Sequence, residues 1–142
     1  MSDAYFSETL HASTVAIGGR AVLIEGRSGA GKSDLALRLI DRGARLISDD
    51  YTVVARDGDR LLASAPATIR GQMEVRGLGI IAVDTLAVAP IALLVRLDDV
   101  VERLPEHAER VVGGLRIPLV TLNGLEASAP IKVELALART ES

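Results

Sequence analysis

The sequence predicts a single α/β domain spanning residues 1–142, a mixed β-sheet with flanking helices. Three observations carry that prediction. The chain has 142 residues, 49% hydrophobic and 25% charged, the size and mixture of one domain able to bury its own core. A continuously apolar run, Ala21-Val22-Leu23-Ile24, leads through a glycine-rich loop into an amphipathic segment, which reads as buried strand, turn and helix. Further short runs of strand character follow, separated by turn signals rich in Gly and Asp.

Taken in order, Val15–Ile17 and Ala21–Glu25 are two strands around the turn signal Gly18-Gly19. Ser33–Arg42 places Leu35, Ala36, Leu39 and Ile40 on one helix face, and Gly43 ends that helix. Arg45–Ser48 is a short strand that delivers Asp49-Asp50. Thr52–Arg56 and Leu61–Ser64 form a hairpin about Asp57-Gly58-Asp59. Pro66–Val75 carries no decisive pattern. Gly77-Leu78-Gly79 is a turn before a strand at Ile80–Val83. Ile91–Leu97 is the longest buried strand, Asp99–Arg110 is charged and of helical composition, and Arg116–Leu122 is extended. Pro130–Arg139 is ambiguous. Its apolar residues Ile131, Val133, Leu135 and Leu137 alternate as in a strand, whereas its Ala, Leu and Glu content favours a helix.

Composition excludes several function classes. A formal net charge of −3 gives the surface as a whole no attraction for nucleic acid. Aromatic residues are 2% with no Trp, too few for a base-stacking surface. The absence of cysteine excludes disulfides, thiolate metal sites and a cysteine nucleophile, and it fits a cytoplasmic setting. Met1-Ser2-Asp3-Ala4 lacks the basic and apolar regions of a signal peptide. No apolar stretch approaches the ~18 residues of a membrane span.

The loop Gly26-Arg27-Ser28-Gly29-Ala30-Gly31-Lys32-Ser33 matches G-x-x-x-x-G-K-[ST] in full. Chance produces that match in roughly one chain in two hundred of this length. Its context is the one the chemistry requires, a buried strand before and an amphipathic helix after. Glycines let backbone N–H groups converge on phosphate oxygens, and the helix N-terminus adds its dipole. All eight residues are therefore predicted to bind the phosphates of a nucleoside triphosphate. Lys32 reaches the β- and γ-phosphates and Ser33 coordinates Mg²⁺ through its hydroxyl. Only Lys32 and Lys132 are lysines, so one of two falls where the motif demands it.

Phosphoryl transfer also needs a carboxylate to hold metal or to activate the acceptor. Two pairs compete, Asp49-Asp50 after a short strand and Asp98-Asp99 after the long one, and general P-loop expectation favours the second, because a long buried strand delivers it to the sheet edge. Either is equally readable as a solvated turn or cap, and pattern alone does not choose.

The stretch from His11 through the phosphate loop, the run from Arg42 to Asp50, and Glu74-Val75-Arg76-Gly77-Leu78-Gly79-Ile80-Ile81-Ala82-Val83 together resemble the catalytic domain of HPr kinase/phosphorylase. That bifunctional bacterial enzyme acts on HPr, the phosphocarrier of the sugar phosphotransferase system. The resemblance covers residues 11–104 well and the rest loosely. Its most specific element is Glu74–Ile81, which ordinary P-loop proteins lack. It implies a P-loop kinase-like fold, ATP and Mg²⁺ as cofactors, and serine phosphorylation of an HPr-type phosphocarrier. It further implies a cytoplasmic homo-oligomer, hexameric in the family. By position, His11 matches an active-site histidine and Asp50 the general base. Glu74 matches a magnesium ligand alongside Ser33, and Arg103 a catalytic arginine. The resemblance makes Pro130–Arg139 a helix and leaves Asp98-Asp99 as ordinary turn residues.

Full-length family enzymes carry a separate N-terminal domain. Ten residues precede His11 here, so the expectation is a short form without it. The family's proline- and arginine-bearing segment tied to dephosphorylation is matched only weakly by Ile117-Pro118-Leu119-Val120-Thr121-Leu122-Asn123-Gly124. Phosphorolysis is thus less strongly implied than kinase activity. Two alternatives stay open: a P-loop kinase of a small metabolite, with Asp98–Arg110 as an arginine-bearing lid, and a nucleotide-sensing module that does no chemistry.

Overall fold

The structure, a computed structural model, describes residues 6–140. Strand β1 (Ser7–Leu10) is followed by the hairpin β2 (Ser13–Ile17) and β3 (Arg20–Glu25), then helix α1 (Lys32–Asp41) and strand β4 (Arg45–Ser48). The hairpin β5 (Thr52–Asp57) and β6 (Arg60–Ser64) leads through a 3₁₀ turn at Ala67–Ile69 to a second hairpin, β7 (Gln72–Val75) and β8 (Gly79–Ala82). Strands β9 (Val88–Leu97), β10 (Ala108–Val112) and β11 (Leu115–Leu122) and helix α2 (Ala129–Arg139) complete the domain.

Nine strands form one mixed sheet. Its path runs β1-β5-β6-β9-β3-β2-β4, with β11 also on β9 and β10 on β11. The pairs β3–β9 and β9–β11 are parallel and the others antiparallel. The parallel centre places the carboxyl ends of β3, β9 and β11 at one edge, where ligands bind in open α/β sheets. The hairpin β7–β8 is a separate two-stranded sheet.

Alternation along β3 explains its unbroken apolar run. Val22 and Ile24 point to a core shared with Leu35 and Leu39 of α1 and Val133 and Leu137 of α2. Ala21 and Leu23 point the other way, to a core with Ile47, Val54, Leu61, Leu94 and Ile117. A strand covered on both faces is apolar throughout. Leu39 is fully buried. Leu39→Ala removes a side chain that its neighbours replace only in part, and we expect a loss of about 2–5 kcal/mol. A lowered denaturant midpoint with unchanged slope is the expected measurement.

Helix α2 follows the resemblance, not the alternation. Pro130 sits in its first turn, and Ala129, Val133, Ala136 and Leu137 are buried at helical spacing. Ile131 and Leu135, which an alternating strand would have set beside Val133 and Leu137, are exposed. Arg42, just past α1, ties the two helices by donating to both carboxylate oxygens of Glu134 at 3.0 and 2.7 Å. That pairing holds the Glu134 carboxyl below the usual carboxylate range. Its small contribution is present at neutral pH and fades as pH falls through the lowered value.

The helical expectation for Asp99–Arg110 is corrected. Residues 99–107 are irregular and residues 108–112 form β10. Pro105 removes a helix donor in mid-segment, and the β-branched Val111-Val112 before the Gly113-Gly114 turn favour an extended partner for β11. Among the described residues no helix is long and apolar enough to cross a membrane.

Candidate active site

Strand β3 ends at Glu25, and the glycine-rich loop turns the chain into α1 at the carboxyl edge of the sheet. Two glycines are required there. A Cβ on Gly26 would lie 3.1 Å from Leu97 Cβ and 3.2 Å from Ala30 Cβ. Gly31 caps α1 with a left-handed φ of 97°, and no side chain caps the first-turn N–H groups. Those donors are left for an anion, reinforced by the helix dipole. The Lys32 ammonium folds back over the loop, donating to the carbonyls of Gly26 (3.0 Å) and Arg27 (3.4 Å). Lys32 is only 8% exposed and makes no ion pair among the described residues, so a buried cation stands beside these uncapped donors.

The adjacent pair at the end of β4 divides in two. Asp49 is buried. Its Oδ1 accepts from Ser33 Oγ at 2.7 Å and from Ser13 Oγ at 2.9 Å, and its Oδ2 accepts from the Glu74 N–H at 3.3 Å. One carboxylate thus ties α1, β2 and β7. Asp50 is the only non-glycine residue with positive φ among those described, at 70°. Aspartate tolerates that conformation better than most residues. The turn exposes the Asp50 side chain, whose Oδ1 lies 2.9 Å from His11 Nε2. His11 in turn stacks on Tyr51, with ring centroids 5.0 Å apart. The Asp50 N–H donates to Ser13 Oγ at 3.0 Å, so one buried serine hydroxyl bridges the two aspartates.

Buried hydroxyls fix this turn to the sheet. Thr52 Oγ1 donates to the Ala12 carbonyl, which leaves Thr14 as donor in the 2.8 Å Thr14–Thr52 contact. The Tyr51 N–H donates to the Asp49 carbonyl at 2.8 Å, and Ser48 Oγ donates to the Tyr51 carbonyl. With every such group paired, two carboxylates of opposite environment are held at fixed places.

The structure therefore brings together Lys32, Ser33, His11, Asp50 and the backbone of Glu74. The Glu74 side chain is exposed on the outer face of β7, where it pairs across the hairpin with Ile80. Arg103 lies exposed in the irregular segment after β9, and among the described residues it makes no ion pair or hydrogen bond. Asp98-Asp99 behaves as a turn. The Val100 N–H donates to Asp98 Oδ1 at 3.2 Å and, as the leading cause, holds that carboxyl below the usual range. Asp99 lies 3.7 Å from Arg27. Sequence reasoning considered Asp49 only as half of a pair. Its signal was its register, since a residue at the end of a buried strand, one before a residue turned outward, faces inward. A second element it missed is the bidentate Arg110–Glu25 pair at 2.9 and 2.8 Å, directly beneath the loop.

Comparison with known proteins shows the family and the fold. The family model described as HPr Serine kinase C-terminal domain matches residues 4–114. The chain is 42% identical over 129 residues to HPr kinase/phosphorylase of Limosilactobacillus reuteri, covering 81% of this chain and 40% of that protein. It is 49% identical over 78 residues to HPr kinase/phosphorylase of Bacillus subtilis, covering 54% and 25%. The chain thus spans about 40% of the length of the first of these relatives. The solved structure of the Hpr(Ser) kinase/phosphatase from Coxiella burnetii superposes with a TM-score of 0.79 at 28% identity, over 93% of this chain and 94% of that one. A phosphate loop at the edge of a mixed sheet, an inward and an outward aspartate side by side, and these matches have one common reading: the chain belongs to the HPr serine kinase C-terminal domain family.

Proposed function

We propose that this protein is an ATP- and Mg²⁺-dependent serine kinase acting on an HPr-type phosphocarrier, and that it also removes the phosphate by phosphorolysis. The observation that carries the proposal is the divergent aspartate pair. Asp49 faces the loop hydroxyl of Ser33, and Asp50 faces outward beside His11. A non-catalytic sensor has no use for an exposed carboxylate held beside a histidine, whereas an acceptor hydroxyl needs one as its base.

Residues Gly26 to Ser33 hold the triphosphate, with Lys32 on its terminal phosphates. The Ser33 hydroxyl and the Asp49 carboxylate, in contact with each other, are hard oxygen donors suited to Mg²⁺, and the Glu74 carboxylate is added as the resemblance implies. Among the described residues no three His, Cys, Asp or Glu side chains cluster to cage a metal. That fits an ion that keeps several waters and takes further ligands from phosphates. When bound, it offsets charge on the phosphoryl oxygens.

Asp50 accepts the proton of the acceptor serine as the new O–P bond forms, and His11 holds that carboxylate in line. In reverse, an oxygen of inorganic phosphate attacks the phosphoserine phosphorus and the serine oxygen leaves. Asp50 returns its proton and pyrophosphate is released. Arg103 supplies positive charge to the transferring group, as the resemblance implies. The reaction belongs to the cytoplasm, in a homo-oligomer that is hexameric if this chain follows the family.

Purified protein, phosphocarrier and labelled ATP test the proposal. We expect label on the carrier serine with Mg²⁺ and none after chelation. Fast turnover without any protein acceptor would establish the metabolite kinase instead, and nucleotide binding without transfer or hydrolysis the sensor. Pyrophosphate formed from phosphorylated carrier and inorganic phosphate tests the reverse direction.

A further inference from the structure

The His11 side chain has one hydrogen-bond contact and one ring contact among the described residues. Its Nε2 meets Asp50 Oδ1 at 2.9 Å, and its ring lies on Tyr51 with centroids 5.0 Å apart and planes 22° from parallel. The proposed chemistry uses the first contact and leaves the second unexplained. The His11 and Asp50 side chains are 51% and 54% exposed. A surface contact of that kind is weak, because two mobile side chains must be held in one geometry. A single hydrogen bond also fixes only one atom of the imidazole. The ring still swings about that atom, and a cleft of about 620 Å³ bordered by His11 gives it room to do so. A stacked face fixes the plane as well.

Register explains why an aromatic ring stands there. Strands β1 and β5 pair with Leu10 opposite Thr52, and β2 and β4 pair with Thr14 opposite Ser48. The short connections between those pairs, residues 11–12 and 49–51, therefore lie side by side, with His11 on one and Tyr51 on the other. The Tyr51 backbone is held at both ends. Its N–H donates to the Asp49 carbonyl at 2.8 Å, and its carbonyl accepts from Ser48 Oγ. The next residue, Thr52, is buried and donates to the Ala12 carbonyl at 2.8 Å, which ties the two connections together. A fixed backbone thus carries a ring that the core does not use, since Tyr51 is 48% exposed. The chain has one Phe, two Tyr and no Trp, so composition alone does not put an aromatic at this place. The phenol hydroxyl makes no hydrogen bond among the described residues, which leaves the ring face as the part in use.

We propose that Tyr51 is a positioning residue. Its ring holds the His11 imidazole in the plane that keeps Nε2 on the Asp50 carboxylate, and the phenol hydroxyl takes no part. An offset stack of two flat rings favours one relative orientation, which an aliphatic neighbour does not. Tyr51 therefore acts on the base through His11, without touching the acceptor. Its effect on transfer rests on the kinase reading above, whereas its hold on His11 does not.

Two measurements separate these. The chain has two histidines, His11 and His107, so NMR of histidine-labelled protein shows two imidazoles, assigned with His107→Gln. We expect the His11 ring protons to lie upfield in wild type through the Tyr51 ring current, the shift to be lost in Tyr51→Ala, and Tyr51→Phe to keep it. Asp50→Asn is expected to move the His11 Nε2 signal, and to move it much less when combined with Tyr51→Ala. Equal ring-proton shifts in wild type and Tyr51→Ala, or an equal response to Asp50→Asn in both backgrounds, overturns the proposal. In the transfer assay, Tyr51→Ala is expected to lower kcat by roughly 10-fold, a share of the ~10²–10⁴-fold that a positioned base supplies. KM for carrier and for MgATP should stay unchanged, and Tyr51→Phe should restore kcat. A raised KM for the carrier with kcat intact, or loss of transfer in Tyr51→Phe, assigns Tyr51 to acceptor contact and overturns positioning. Unchanged kinetics in Tyr51→Ala, with wild-type transfer established, removes Tyr51 from the reaction. The expected NMR behaviour, but no transfer by wild type, keeps the hold on His11 and refutes the kinase reading. Circular dichroism of the variants serves as the folding control.

Discussion

Asp50→Asn should lower phosphoryl transfer to serine by on the order of 10²–10⁴-fold, the range a positioned general base supplies. The substitution is a clean one for this position. Asparagine tolerates the left-handed backbone that Asp50 adopts at φ 70°, so the turn keeps its shape. The Asn amide still meets His11 and the Asp50 N–H still reaches Ser13, so the scaffold of the site persists. Only the capacity to take a proton is lost. Nucleotide affinity is expected to stay within about threefold, because the loop and Lys32 are untouched. Single-turnover transfer and nucleotide titration on the same preparation measure both quantities. Equal transfer by wild type and variant would remove Asp50 from the chemistry.

Lys32→Ala acts at the other reactant. Lys32 is 8% exposed as a residue, and its ammonium has only carbonyl partners among the described residues. A desolvated charge without a counter-ion is costly, and it gains most when triphosphate oxygens arrive. Removing it should cost at least ~10² in transfer and weaken ATP binding as well. Alanine favours the helix at the first position of α1, so the fold is preserved. Arginine is not expected to restore activity, since its planar fork does not fit a site shaped for a compact ammonium. Unchanged ATP affinity in Lys32→Ala would contradict the loop's role in binding.

What the sequence made legible was local. The path from β3 through the loop to α1 depends on residues adjacent in the chain, and its apolar periodicity stands in the letters. What stayed hidden depended on partners elsewhere. Strand β1 is an exposed edge strand, Ser7–Leu10, whose pairing with β5 leaves no alternation to read. Residues 108–112 are extended because β11 offers a hydrogen-bonding edge, and tertiary pairing overrides a charged, helical composition. In α2, alternating and helical patterns share Val133 and Leu137, and only the exposure of Ile131 and Leu135 separates them. The division of labour between Asp49 and Asp50 was at most hinted at by register. It follows from one backbone angle and from hydroxyls contributed by β2 and α1.

Ser13 has a consequence for how the two half-reactions communicate. Its single hydroxyl donates to Asp49 and accepts from the Asp50 backbone, so neither aspartate can shift without altering the other's hydrogen bond. Any ligand that moves one aspartate is therefore expected to be felt at the other, which cation titration with and without acceptor, on wild type and Ser13→Ala, would measure. By reciprocity, whatever factor a bound cation adds to acceptor affinity, the acceptor adds to cation affinity.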